Sequence, residues 1–425
     1  MAAGRAFQII RTAFVFAAVA GTAHAGTFQV LYTFHGYPAR DGANPESAPI
    51  MDSKGDLYGT TEAGGASACG IVYKLHKTRT GSWKEKILYS FKCGDDGYSP
   101  VGGLVFDKGG NLYGSTVFGG TGQCFFFGER IGCGVVFKLS PGSGGWTETV
   151  LYSFPAPPGS YFGGPYASLT FDGKDQLFGT TVLDGACGDG SIFRLKLTNG
   201  IWKEHDLYTF CGDDGFAPAY GALVRDSAGN FYGTTMGGSG TAFALSPLRH
   251  DKWALNTLHQ FTQDEGGVPE GGLRFDASGN LCGAELDGGP LDGGGCGAIF
   301  ELTSAGGGKW NESVPFDFVC DGPHGEGPWQ SPVFDSGGSL WGTTQQGGSA
   351  EYCVNCGVIY ELVPQGGGKW SESVVYSFGS QPNIADGSDP IGGLTLGKDG
   401  SFYGTTLESG DPSCGGCGAV FEFTP

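Results

Sequence analysis

Between Gly102 and Phe154 the chain carries four short apolar runs in succession: GGLVFD (102–107), LYGST (112–116), GVVFKL (134–139) and WTETVLYSF (146–154). Glycine-rich polar segments separate them. Val, Phe, Tyr and Thr dominate the runs, each of strand length and bounded by turn residues, so the pattern predicts strands rather than helices. Connections this short make successive strands antiparallel. We label the four strands A to D.

The same unit recurs along the chain. Its core phrase is Leu57-Tyr58-Gly59-Thr60-Thr61, and it returns at Leu112–Thr116, Leu177–Thr181, Phe231–Thr235, Leu281–Glu285, Leu340–Thr344 and Phe402–Thr406, on average about 57 residues apart. One four-stranded sheet cannot bury both of its faces, so the units must stack face to face around a ring. The prediction is an all-β chain, a seven-bladed β-propeller of four-stranded antiparallel blades. Its glycines are expected in turns and at the LYG position, where sheets pack closely. The seventh unit stops at Pro425 without a strand D, while FQVLYTF (28–34) has strand D character with nothing before it. The N-terminal strand is therefore expected to complete the last blade by pairing with 417–423, which leaves no unpaired break in the ring.

Residues 1–25 read differently. They hold two arginines and no acid, an apolar run from Thr12 to Gly21, and Ala23-His24-Ala25 at the end. This is the pattern of a signal peptide cleaved after Ala25, leaving 26–425 as a single propeller domain, secreted or periplasmic. No later segment approaches the roughly 20 unbroken apolar residues of a membrane helix. Loss of the two arginines moves the formal charge from −19 to −21. Such a surface repels nucleic acid and anionic lipid, so the expected partners are a saccharide or a protein, for a chain acting as a monomer.

In an oxidising compartment thirteen cysteines are disulfide material first. Strands C and D are neighbours, so the start of C lies beside the end of D. Cys69 with Cys93, Cys187 with Cys211 and Cys296 with Cys320 meet that condition. Three other blades place both cysteines upstream of strand C: Cys124 with Cys133, Cys353 with Cys356, and Cys414 with Cys417. Six disulfides within blades are expected, in preference to zinc at the two CxxC pairs. Cys282, which replaces the Tyr of LYG, is expected as a buried free thiol.

Candidate chemistry falls on the loops that join C to B and D to A. An acid and a glycine follow strand D at Asp41, Asp96, Asp214, Glu265 and Asp386. They are either Asp-Gly turns bonded to local backbone N–H groups or a broken ring of carboxylates at the channel mouth that holds a cation such as Ca²⁺. The Asp ending strand A (Asp52, Asp107, Asp172, Asp226, Asp276, Asp335) reads as a turn residue. Glu85, Glu148, Glu204, Glu312 and Glu372, two residues after a Trp on strand D, read as charge on an exposed outer edge. Breaks in the repeat mark ligand candidates: Glu285 and Asp287 in blade 5, the neighbouring Glu265, His324 and Trp329, and Phe125, Phe126 and Phe127 in the blade 2 loop. No G-x-S-x-G, HExxH, EF-hand or P-loop pattern is present.

The phrases LYGTT, GVVFKL and LYSF resemble the GloVer (Gloeo_Verruco) tandem repeat family of exported bacterial proteins. The resemblance spans nearly the whole chain after residue 25 and implies no established reaction, so it transfers no catalytic residue. Varied C-terminal surface anchors are described for that family, whereas AVFEFTP carries no sorting tail and favours release. The function expected is a non-enzymatic binding or interaction module for a saccharide or protein, with no required cofactor. The rival is a propeller hydrolase or lyase acting on a saccharide or lactone, with a cation at an acidic mouth.

Overall fold

The computed structural model describes residues 26–36, 39–126, 128–156, 163–212, 214–218, 220–262, 267–288, 295–366, 368–408 and 416–425. Its frame is seven four-stranded antiparallel sheets. Blade 1 shows the plan: strand A is Ile50–Met51, B is Leu57–Thr61, C is Ile71–Lys77 and D is Trp83–Ser90, side by side in that order. The last sheet takes Leu394–Leu396, Phe402–Thr406 and Ala419–Thr424 as A to C, and Thr27–Thr33 as D. Phe28 lies opposite Phe423 and Thr33 opposite Ala419, so the N-terminal strand closes the ring in the expected place. Phe28 also stacks on Tyr376 of blade 6 at 3.8 Å.

Successive residues of a strand point to opposite faces, and here each face meets a different blade. Leu57, Ile71, Tyr73 and Leu75 pack back on Leu31, Phe34, Tyr403 and Val420 of blade 7. Tyr58, Val72, Leu88 and Phe91 pack forward on Leu104, Leu112, Phe137 and Leu139 of blade 2. The core is thus a set of wedges between neighbouring blades. Hydroxyls of the LYGTT phrase add a latch across the wedge: Thr60 donates to the Gly102 carbonyl (3.1 Å), Thr343 to that of Pro390 (2.6 Å) and Thr405 to that of Ser47 (3.3 Å). The last of these joins blade 7 to blade 1.

Two glycine positions repeat for physical reasons. The LYG glycine was expected between sheets, but it sits beneath the strand C aromatic of its own blade, Gly59 opposite Tyr73 and Gly179 opposite Phe193. A methyl on Gly179 would come within 2.6 Å of Phe193 Cζ, so the glycine is a seat for a ring. The glycine before strand C (Gly70, Gly134, Gly190, Gly240, Gly297, Gly357, Gly418) has φ from 80° to 98°, a region unfavourable to other residues. Each also lies against the proline that leads into the next blade, as Gly70 does against Pro100 and Gly418 against Pro45. Its carbonyl accepts from the Phe after strand D, for instance Phe91 N to Gly70 O at 3.1 Å and Phe34 N to Gly418 O at 3.0 Å.

Five of the expected disulfides are present, Cys69–Cys93, Cys124–Cys133, Cys187–Cys211, Cys296–Cys320 and Cys353–Cys356, with Cα separations of 5.2 to 5.9 Å. Cys417 is disulfide-bonded, and Cys414 lies outside the described residues, as does the leader at 1–25. Cys282 is a buried free thiol. Among the described residues no helix is long and apolar enough to cross a membrane. The seat for the ring is testable: Gly179→Ala should destabilise the protein by about 1–3 kcal/mol through overpacking against Phe193. Gly144→Ala, with nothing within 4 Å of the added methyl, should leave the melting temperature unchanged.

Candidate functional site

The innermost strands surround an axial cavity of about 480 Å³. The residue five positions before the end of each strand A stands at its mouth: Glu46, Val101, Tyr166, Tyr220, Trp329 and Ile391 line the opening, and Glu270 is the equivalent in blade 5. Proline before most of these fixes the chain as it enters strand A. The side chain beyond it faces the lumen, where the ring imposes no packing partner. Three of the seven are aromatic, and they touch. Tyr166 and Tyr220 lie 5.7 Å apart edge to face, and Tyr220 and Trp329 do likewise at 5.7 Å.

Acids flank this crescent. Burial pushes Glu46 up to about 8, helped by Glu62, which follows LYGTT in blade 1 and shares a hydrogen bond with it. Burial, with Asp287 adding to it, raises Glu270 to about 7. Both acids in turn raise the Tyr220 hydroxyl to about 12, behind desolvation as the main cause. Deeper in the lumen is Arg274, whose counterparts in the other blades are Ile50, Val105, Thr170, Val224, Val333 and Thr395. Water reaches Arg274 through the open lumen, yet protein surrounds it closely enough for desolvation to lower its pKa.

The turn acids are placed elsewhere. Asp41 accepts from the Tyr32 hydroxyl (2.8 Å) and the His35 amide (3.0 Å), Asp96 from Tyr89 (2.8 Å) and the Lys92 amide (3.0 Å), and Asp386 from Tyr376 (2.7 Å) and the Ser380 amide (2.9 Å). Asp214 accepts from Tyr208 and from the Cys211 amide. Each acid is thus bound to its own strand D, the outermost strand, and to a local backbone amide, the arrangement of the turn reading rather than of a carboxylate ring. Blade 5 has Phe316 in place of the tyrosine and His324 in place of the acid. Among the described residues no three His, Cys, Asp or Glu side chains converge on a cation. Glu265 lies outside the described residues.

Of the ligand candidates read from breaks in the repeat, Trp329 is the one at the mouth. Glu285 is fully buried at the end of strand B, where other blades carry threonine. Asp287 is exposed and His324 pairs with Asp321 at 2.8 Å. Phe125 is half exposed on a short hairpin with Glu129–Arg130, which Arg130 ties back through Gly120 and Gly122; the Phe126 side chain and Phe127 lie outside the described set. The mouth residues Glu46, Tyr166, Tyr220, Glu270 and the lumen residue Arg274 escaped the sequence reading. Their signal was the column in which seven copies of one unit disagree.

The strand D glutamates also need correction. They were expected on an exposed edge, but each faces the preceding blade, opposite a core leucine of its own strand C such as Leu75 or Leu139. Burial raises Glu85, Glu148 and Glu204 to about 7, with Asp41, Asp96 and Asp206 respectively adding to it. Glu372 is raised in the same way, and His324 approaches it at 3.8 Å.

Residues 123–317 match the family model described as the Gloeobacter/Verrucomicrobia repeat. No curated protein matches the chain. Solved structures do. A Lactobacillus plantarum protein aligns with TM-score 0.54 at 11% identity over 87% of this chain and 99% of its own. A candidate 6-phosphogluconolactonase from Bacteroides uniformis gives 0.50 at 14% over 82% and 95%, and the periplasmic gluconolactonase of Pseudomonas aeruginosa 0.48 at 14% over 79% and 87%. At such identities the likeness is one of fold.

The repeat's buried glutamates make stability depend on pH. Their folded pKa of about 7 lies above the ordinary 4.5, so between these values the folded state holds protons that the unfolded chain has released. Their contribution is complete below about pH 4.5 and is lost as pH rises through 7. Glu46 and Glu270 act in the same direction. The melting temperature should therefore be higher at pH 5 than at pH 8, and Glu85→Gln, Glu148→Gln and Glu204→Gln combined should remove most of the difference.

Proposed function

We propose that this propeller is an exported, non-enzymatic binding module that takes a saccharide into its axial mouth. The observation that carries the reading is the crescent of Tyr166, Tyr220 and Trp329 over a cavity of about 480 Å³. Ligand sites of this kind run from about 300 to 1,000 Å³, with apolar walls and a few polar groups that fix orientation. Aromatic rings offer flat, rigid, weakly hydrated faces to the C–H faces of sugar rings, and Glu46 and Glu270 can accept from sugar hydroxyls. Five disulfides on the loops of that same face hold the mouth in shape and suit a chain that leaves the cytoplasm. This reading requires no cofactor and treats the protein as a monomer.

A hydrolase or lyase is the second reading, and one observation favours it. Glu46, hydrogen-bonded to Glu62, keeps its proton at neutral pH, which is what a general acid requires. The lactonases among the fold neighbours, at 14% identity, add nothing to it.

A glycan array followed by calorimetry separates the two. The binding reading expects one class of glycan to be held without turnover, and Trp329→Ala or Tyr220→Ala to weaken it about tenfold, roughly 1.4 kcal/mol. Cleavage of the bound glycan, abolished by Glu46→Gln, would replace this reading with the enzymatic one.

A further inference from the structure

Arg274 has no architectural task. It makes no hydrogen bond or ion pair with any described residue, and no neighbouring charge affects it. Blades with Ile50, Val105, Thr170, Val224, Val333 or Thr395 at this position form the same sheet without a cation. Its guanidinium is open to the lumen and is left without a protein partner there. Its five N–H donors form a planar fork that fits a carboxylate through two parallel hydrogen bonds.

We propose that Arg274 is the anchor for the carboxylate of an acidic saccharide, a sugar bearing a uronate or aldonate group, whose ring lies against Tyr220 and Trp329. The proposal rests on the saccharide reading above and names the ligand's class. Arg274 is four residues along strand A from the mouth position, roughly 13 Å at the rise of a strand. The arginine side chain and one or two sugar rings together span that depth, and a cavity of about 480 Å³ accommodates them. Gln330, which also lines the cavity and bonds to no described residue, supplies an amide for ring hydroxyls.

Charge selects a carboxylate over a phosphate. Arg274 is the sole Lys or Arg among the described residues lining the cavity, so one positive charge meets one negative charge. The second charge of a phosphate would enter the lumen unneutralised. The acids at the mouth do not bar the way, because at neutral pH Glu46 holds its proton and Glu270 is near its midpoint. The acidic outer surface is screened within about 8 Å at physiological salt.

The test uses matched neutral and acidic glycans, galactose against galacturonate oligomers and glucose against glucuronate oligomers, on the full chain by array and calorimetry. Acidic members should bind at least about tenfold tighter than their neutral partners. Arg274→Thr carries the residue that blades 3 and 7 have here, so it should melt like wild type, lose the preference and retain the neutral affinity. Arg274→Lys should keep part of it. Equal binding of acidic and neutral members by wild type, or a preference that survives Arg274→Thr, overturns the anchor while the saccharide reading stands. If wild type binds neither member of any pair, both fall.

Discussion

Strand D of the seventh blade comes from Thr27–Thr33, and its six paired positions with Ala419–Thr424 are what stop the ring from opening. Every other interface in the molecule depends on that closure. Each blade buries one face against its predecessor and the other against its successor, so an open ring would leave two faces of Leu, Val, Phe and Tyr in water. The same junction gathers other contacts. Phe28 stacks on Tyr376, Gly418 meets Pro45, and Thr405 bonds the Ser47 carbonyl. Closure is therefore spread over a strand, a turn and a side chain.

Positions that repeat and positions that vary divide the work between them. The glycine under an aromatic ring, the glycine against a proline, and the Phe amide that bonds a glycine carbonyl recur in blade after blade because each solves a packing problem that every blade has. The mouth position repeats nothing. Its side chain projects into the lumen, away from the wedges, so Glu, Val, Tyr, Trp and Ile are all compatible with the fold there. Freedom from packing is what makes that position available to a ligand. Arg274 follows the same logic four residues deeper in the lumen.

The abundant acids do three separate things. Those after strand D are held by a tyrosine hydroxyl and backbone amides of the same blade. Those on strand D lie between blades, where burial keeps them protonated to higher pH. Those at the mouth face the lumen and each other. The first two groups are architectural, those after strand D through their bonds to Tyr32, Tyr89 and Tyr376. A formal charge of −19 thus overstates how negative the channel is.

The amino-acid sequence by itself determined the number of blades, the order of strands, the closing strand and the disulfide partners. These follow from period-2 patterning, turn chemistry and the repeat length, all local quantities that the chain carries in one dimension. Which side chains meet across the ring was decided only by the tertiary structure. Glu46, Tyr166, Tyr220, Trp329 and Arg274 come from five different blades, up to 283 residues apart, and no local pattern links them. The glutamates of strand D misled for the same reason. Alternation along a strand tells which residues share a face, but an outer strand in a closed ring has a neighbouring blade on both faces, and that neighbour exists only once the ring has formed.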